Sequence, residues 1–167
     1  HTRKQTIMTT SKKDESKPEK KPEATALLRA DHKLVAGLFE EFEQARSVSK
    51  KKALVAQICK ELTVHTQIEE EIFYPAFQKA LKDHELVPEA NVEHDSIKDL
   101  IAQVEGVEPG GDAYDAKVKV MGELVEHHVK EEHRDMFPKA KESKMDLDAL
   151  GAQMYERKQE LMAQYPE

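Results

Sequence analysis

The chain has 167 residues, a net charge of −7, 35% charged and 5% aromatic residues, and no tryptophan. This length predicts one domain with a proper core, and the composition is typical of long solvent-exposed helices rather than β-sheets. The negative charge argues against a nucleic-acid partner, and no apolar run approaches the ~20 residues of a membrane span, which argues against a membrane partner.

The amino-terminal segment differs in composition from the rest of the chain. Residues 1–22 are rich in Lys, Ser, Thr, Glu and Pro and hold few large apolar residues, so we predict a disordered charged tail. It lacks the apolar segment of a secretory signal, and a single cysteine suits a reducing compartment. We therefore expect a cytoplasmic protein in which Cys59 is a small buried side chain rather than a redox group.

Apolar residues at helical spacing predict four helices joined by short connections. The helices are expected from Pro22–Thr25 to Arg46, from Ser47–Ser49 to Lys82, from Pro88 to Gly106, and from Asp112, the expected N-cap, to Lys141. Short connections make neighbours antiparallel, so residues 23–145 should form an all-α, up-down-up-down four-helix bundle. A last amphipathic stretch at 146–167 predicts an additional C-terminal helix, weakened by Gly151.

A motif, H-x-x-x-E-x5-P, occurs in both the second and the fourth helix. The two copies are His65, Glu69 and Pro75, and His128, Glu132 and Pro138. Residues four apart share one face of a helix, so each copy directs an imidazole and a carboxylate into the bundle. Beyond Glu69 the same spacing places Ile72 and Ala76 inward. Beyond Glu132 it places Asp135 or Met136 inward. The prolines predict a kink rather than a chemical role.

Each motif has a partner histidine one helix upstream, on the inward stripe. His94 follows His32 by 62 residues and His128 follows His65 by 63, which indicates an internal duplication of a helix–helix unit. Charged groups buried without partners would cost several kcal/mol each, whereas a shared metal would satisfy them. The sequence therefore predicts a metal site formed by His32, His65, Glu69, His94, His128 and Glu132.

The roles of the other polar residues near the motifs are less defined. His127 and His133 flank the stripe of the fourth helix and are expected to be solvated or to support the ligands. His84 is expected at the surface. Asp135 lies on or beside the inward stripe, and one interpretation is that it orients a ligand imidazole.

The donor types restrict the metal. Imidazole and carboxylate without thiolate suit iron, manganese, zinc or copper, and two glutamates between two histidine pairs suggest two octahedral ions. Iron fits best, as two Fe2+/Fe3+ ions with an oxo or hydroxo bridge. Because only two carboxylates are present, highly oxidised states are disfavoured, which favours binding or modest redox work on small oxygen or nitrogen species. A structural zinc bundle is the weaker alternative.

The doubled motif resembles the hemerythrin-like, or HHE cation-binding, family over about residues 24–142. The resemblance implies a four-helix bundle with a non-haem di-iron centre, in which the four histidines are terminal ligands and Glu69 and Glu132 are bridges. Oxygen-carrying members have a further histidine at the position of Ala90 and a carboxylate at that of His133. The ligand set is more similar to the hemerythrin domain of iron-centre repair proteins, which carry an extra cysteine-containing domain.

These features lead to a functional hypothesis with an alternative. The first is a cytoplasmic bacterial di-iron protein that binds or reacts with O2, hydrogen peroxide or NO in oxidative or nitrosative stress, as a monomer or weak homodimer. Ala90 leaves coordination positions open, so catalase-like peroxide consumption and iron-centre repair both remain open. The alternative is a non-catalytic module for iron binding, storage, delivery or sensing.

Overall fold

The computed structural model describes residues 21–166, which are helical apart from short connections. The α-helices are α1 (Ala24–Gln44), α2 (Val48–Ile68), α3 (Tyr74–Leu81), α4 (Leu86–Val104), α5 (Gly111–Glu131), α6 (Phe137–Glu142) and α7 (Leu147–Met162). Two π-helical turns, π1 (Glu69–Phe73) and π2 (Glu132–Met136), join α2 to α3 and α5 to α6. The predicted disordered tail lies, up to residue 20, outside the described residues.

The helices form an antiparallel four-helix bundle with a fifth helix on its side. α1 packs along α2 and α4 along α5, and contacts of α1 with α5 and of α2 with α4 close the bundle. α7 lies against α1 and α2. The predicted fold, with its additional C-terminal helix, is confirmed, whereas the domain boundaries at 22 and 145 stay predictions. Within residues 21–166, no helix has both the length and the apolarity needed to cross a bilayer.

Buried apolar side chains form two clusters, one on each side of a polar layer. On α1, Leu28 belongs to one cluster and Val35 to the other, and His32 lies between them in the chain. On α4, Ala90 and Ile97 belong to different clusters in the same way. Since burying a large apolar side chain contributes roughly 1.5–3 kcal/mol, both clusters hold the four helices around the polar layer.

The π turns occur at matching places in the two copies of the motif. The backbone N–H of Tyr74 donates to the carbonyl of Glu69, and that of Phe137 donates to the carbonyl of Glu132, five residues back in each case. Each turn therefore holds one residue more than an α-helical turn. Pro75 and Pro138 are the second residues after these turns, at positions where a missing N–H would leave an α-helical bond unmade. A π turn thus precedes each proline.

The extra residue in π1 moves the buried positions of α3 by one residue relative to those expected for a continuous α-helix. Phe73 and Phe77 are fully buried, whereas Ile72 and Ala76 are partly exposed, so the fully buried positions lie one residue after the predicted ones, although Ile72 still packs against the core. The prediction assumed unbroken α-helical spacing, which the π turn interrupts. In the second copy Met136 is buried rather than Asp135.

Helix α7 packs closely on the beginning of α1 at Gly151. A Cβ atom placed on Gly151 would lie 2.2 Å from the carbonyl oxygen of Pro22 and 2.8 Å from the backbone nitrogen of Ala24. Gly151, which sequence propensity marks as a weak point of the helix, is therefore the residue that allows this approach.

Side-chain caps define several helix starts. The Glu23 carboxylate accepts a bond from the Ala26 N–H at 2.7 Å, and Ser47 Oγ accepts one from the Lys50 N–H at 3.1 Å. The predicted N-cap role of Asp112 is wrong, because α5 begins at Gly111 and is capped by Gly110. Asp112 lies in the first turn instead, where a negative charge is favourable next to the helix dipole.

Candidate metal centre

The structure brings all six predicted ligand residues into one buried layer. α1 provides His32, the end of α2 His65, π1 Glu69, α4 His94, the end of α5 His128, and π2 Glu132. None of the six is more than 7% exposed. The two glutamates are the first residues of the two π turns, so each lies where a straight helix gives way to the inserted residue. The grouping agrees with the sequence, and the role of the six as ligands is a proposal developed below.

The four histidines form two pairs whose Nε2 atoms converge. Nε2 of His32 lies 3.1 Å from Nε2 of His65, and the same 3.1 Å separates His94 from His128. At a metal–nitrogen distance of about 2.05 Å, two ligands lie about 2.9 Å apart at a right angle and about 3.3 Å apart at the tetrahedral angle. Each pair therefore has the separation of two nitrogens bound to one metal ion.

Each glutamate faces one histidine of each pair. Oε1 of Glu69 lies 3.0 Å from Nε2 of His65 and 3.2 Å from Nε2 of His94. Oε1 of Glu132 lies 2.9 Å from Nε2 of His128 and 3.5 Å from Nε2 of His32. Both carboxylates are therefore shared between the pairs, as two bridging ligands would be.

Three of the four glutamate oxygens in this layer make no hydrogen bond. Both oxygens of Glu69 and Oε1 of Glu132 are buried without a hydrogen-bond partner, which costs several kcal/mol if nothing else compensates them. Cations would compensate them, and the donor atoms form two groups that suit a metal ion. One group is His32, His65, Glu69 and Glu132, and the other is Glu69, His94 and His128.

The acid that precedes each upstream histidine orients the downstream one. Asp31 Oδ2 accepts a bond from Nδ1 of His65 at 2.9 Å, and Glu93 Oε1 accepts one from Nδ1 of His128 at 3.1 Å. Such acceptors fix the ring so that Nε2 faces into the layer, and they increase its basicity. Sequence analysis missed both acids, although an acid–histidine dipeptide occurs in each copy of the duplicated unit.

The residue that follows each glutamate contacts the upstream histidine. Glu70 Oε2 lies 3.3 Å from Nδ1 of His94, whereas His133 Nε2 lies 2.8 Å from Nδ1 of His32. Three of the four buried histidines thus have a carboxylate at Nδ1 and the fourth has an imidazole. His133 therefore contacts a predicted ligand, and its supporting role stays a prediction.

Tyr74, the first residue of α3, reaches the centre, and the sequence analysis missed it. Its hydroxyl lies 3.2 Å from Nε2 of both His94 and His128 and 3.4 Å from Oε2 of Glu132. Burial and the negative charge of Glu132 raise its pKa well above the usual value, so it remains a phenol. Its equivalent in the second copy is Phe137, whose ring stacks on His32. An aromatic five residues after each glutamate is the signal that would have identified both.

The acids around His65 and His128 favour protonation of these two histidines. Burial lowers the pKa of His65, but Glu69 and Asp31 outweigh it and raise the pKa to about 10. Burial likewise opposes protonation of His128, but Glu132 and Glu93 raise its pKa to about 11. A metal ion must therefore displace these protons, so binding releases them and weakens as the pH falls.

A small cavity adjoins the histidines. It measures about 20 Å³ and is lined by all four ligand histidines together with apolar side chains such as Val35, Leu62 and Ile97. A water molecule needs about 10–15 Å³ by the same measure. The cavity therefore admits one water or one ligand of similar size beside the imidazoles.

Three further residues considered in the sequence, His84, Asp135 and Cys59, do not contact the imidazoles of the buried layer. His84 is exposed, as predicted. Asp135 binds Arg134 through both carboxylate oxygens, so the suggestion that it orients an imidazole is wrong. Cys59 is 1% exposed, and burial raises its pKa to about 12, which confirms the prediction of a buried, unreactive side chain.

Comparisons with known proteins agree with this geometry. Residues 23–140 match the family described as Hemerythrin HHE cation binding domain. A crystal structure of an HHE cation binding domain-containing protein from Mycobacterium kansasii, a homologue of Rv2633c, superposes with a TM-score of 0.73 at 27% identity, covering 85% of this chain and 88% of that one.

Two curated relatives differ in how much of their length is matched. The uncharacterized protein Rv2633c of Mycobacterium tuberculosis is 26% identical over 139 residues, which cover 81% of this chain and 84% of that protein. A DNA nickase of a Nostoc species is 29% identical over 111 residues, which cover 66% of this chain. The match spans only 31% of the nickase, so most of that protein lies outside it.

Proposed function

Because the chain belongs to the hemerythrin HHE cation-binding family, we propose that it is a cytoplasmic, non-haem di-iron protein that binds or reacts with O2, hydrogen peroxide or NO. The observation that carries this proposal is the buried layer in which two histidine pairs share Glu69 and Glu132. The layer offers nitrogen and oxygen donors to two neighbouring metal positions.

The donor set supports iron. Imidazole and carboxylate donors without thiolate suit iron, and two carboxylates shared by two positions are a di-iron arrangement. His32 and His65 would hold one ion and His94 and His128 the other, with Glu69 and Glu132 as bridges. When bound, such a pair supplies redox chemistry and open coordination positions for a small ligand.

The residues around the layer determine what reaches it. The cavity of about 20 Å³ admits a ligand of the size of water or a diatomic molecule. The Tyr74 phenol, which stays protonated, lies beside His94 and His128 and donates to Oε2 of Glu132. It would therefore hold a proton at this edge of the layer when metal is bound.

The metal content and optical spectrum of aerobically purified protein test this proposal. We expect two irons per chain and near-ultraviolet absorption from an oxo-bridged pair, which changes when peroxide or NO is added. A colourless protein that holds zinc would overturn it in favour of a structural zinc bundle.

Peroxide consumption separates the two functional hypotheses. Many turnovers per chain, measured with fully iron-loaded protein, would support a catalase-like reaction with oxidants. Full iron retention without turnover and without a spectral response to O2, peroxide or NO would instead support the iron storage, delivery or sensing module.

A further inference from the structure

A second group of ligand-type side chains lies between α4 and α5, closer to the surface than the buried layer. Nε2 of His127 lies 3.1 Å from Oε1 of Glu131 and 3.5 Å from Oε2 of Glu93. One donor atom from each of the three residues lies within 4.8 Å of the other two. The His127 side chain is 65% exposed, whereas those of Glu93 and Glu131 are 20% and 23% exposed. The group therefore opens to solvent on one side.

This group carries an excess of negative charge. The carboxylates of Glu93 and Glu131 both lie within 3.5 Å of Nε2 of His127, and Glu89 lines the cavity beside them. The neighbouring cation, Arg134, is held by both carboxylate oxygens of Asp135. A divalent cation bound among the glutamates would remove this repulsion.

A cavity connects the group to the buried layer. It measures about 30 Å³, and Glu89, Glu93, Glu131, Ala90 and Glu132 are among the residues that line it. Glu89 is exposed and Glu93 and Glu131 are partly exposed, whereas Glu132 is 1% exposed and its Oε1 has no hydrogen-bond partner. Surface carboxylates and the buried Glu132 thus line the same cavity, together with the small side chain of Ala90.

We propose that Glu93, His127 and Glu131 form a capture site for a divalent cation, and that the cavity behind them is the route by which the cation reaches Glu132. Two carboxylates and an imidazole leave the other coordination positions to water, which suits a weakly held, exchangeable ion such as Mn2+ or Fe2+. Delivery to the centre rests on the proposed function, whereas the capture site itself does not.

Glu93 links the two places. Its Oε1 accepts a bond from Nδ1 of His128, and its Oε2 faces His127. Because it also orients a ligand histidine, Glu93 is unsuitable as a test position. His127 and Glu131 belong to the capture site. Among the described residues, neither side chain makes a hydrogen bond to the six residues of the buried layer, so these two are the positions to change.

Binding at the capture site is tested with Mn2+ added to fully iron-loaded protein. Free Mn2+ is measured by electron paramagnetic resonance, and we expect one weak site per chain. The double variant His127→Ala, Glu131→Gln should bind Mn2+ weaker by about tenfold or more. Glu126→Gln, which removes a carboxylate paired with Lys130 on the same helix, is the control and should bind as the parent does. Equal Mn2+ binding by the double variant and the parent would overturn the capture site.

Delivery is tested by the rate of Fe2+ uptake into the metal-free chain at low ionic strength. Charged clefts raise on-rates by about tenfold or more, so the double variant should load about tenfold more slowly and reach the same final iron content. The difference should shrink at high salt, because surface charges are then screened.

The outcomes distinguish the route, the capture site and the proposed function. Weaker Mn2+ binding with unchanged Fe2+ uptake would overturn the route and leave the capture site standing. A lower final iron content in the double variant would overturn the proposal by assigning these residues to the centre itself. If the parent protein holds no iron, both the proposed function and the delivery of iron are wrong. Mn2+ binding by the protein as purified then still tests whether the capture site exists.

Discussion

Replacing Asp31 with asparagine should weaken metal binding at the centre. Asp31 is 5% exposed and is held between Nδ1 of His65 at 2.9 Å and Nζ of Lys158 at 2.5 Å. Although burial raises the pKa of Asp31, its bonds to these two groups lower it overall, so the carboxylate is charged. The amide still accepts the imidazole N–H but no longer increases the basicity of His65.

The expected loss follows from what such supporting acids contribute. Changing the partner of a ligand histidine lowers metal affinity by about 10–100-fold, or about 1.4–2.7 kcal/mol. Lys158→Met should have a smaller effect, because it keeps the carboxylate on His65 and removes only the contact with α7. The effect of Lys158→Met measures how much α7 contributes to the centre, and the difference between the two variants measures what the charge on Asp31 contributes through His65.

Competition with a chelator of known affinity measures this loss. Asp95→Asn is the matched control, because Asp95 is an exposed acid next to His94 in the chain. We expect the control to retain metal as the parent does. Parental affinity in Asp31→Asn would refute the reasoning, since the hydrogen bond to His65 would then contribute nothing to the ligand.

Three further predictions follow from the geometry. Glu69→Ala and Glu132→Ala should each lower iron content below two per chain by elemental analysis, and a variant that keeps two irons and the parental spectrum would show that its carboxylate is not a bridge. Gly151→Ala should lower the free energy of unfolding by about 1–2 kcal/mol in denaturant titrations, because the overpacking cost of about 1–3 kcal/mol exceeds the gain in helix propensity. Gly37→Ala, where the new Cβ meets nothing within 4 Å, should instead raise it by about 1 kcal/mol at most, and equal effects would contradict the contact at Pro22. The metal-free chain should lose thermal stability as the pH rises above neutral. The pKa of His128 is about 11 in the folded chain and near 6.5 in the unfolded chain, so its contribution to stability is complete below pH 6.5 and is lost as the pH passes the folded pKa. A melting temperature that rises with pH would count against protonated imidazoles in the layer.

Sequence alone could predict the bundle and the grouping of the six polar residues. Apolar spacing on each helix identified which residues face inward, and the doubled motif showed that His65 and His128 occupy equivalent places. That inference needs only the helical period and short connections. It fails where the period changes, as at Ile72 and Ala76, because the residue inserted by a π turn leaves no mark on the apolar pattern before it.

The supporting residues required the packing of the helices. Asp31 is adjacent to His32 in the chain but bonds to His65 on the neighbouring helix, and only the way α1 and α2 pack decides this. Tyr74 needed the π turn, because unbroken α-helical spacing would rotate it away from Glu69 and the layer. The contact of Lys158 with Asp31 spans 127 residues and has no local signal.

The two copies of the duplicated motif are not symmetric, because the two histidine pairs have different neighbours. The pair His94 and His128 has a phenol from Tyr74 and a carboxylate from Glu70 beside it, whereas His32 has the phenyl ring of Phe137 and the imidazole of His133. The two copies of the motif are therefore not interchangeable in the folded chain. His94 and His128 have acidic, hydrogen-bonding neighbours, whereas His32 has aromatic and less charged ones, so the two halves of the layer differ in their electrostatic environment.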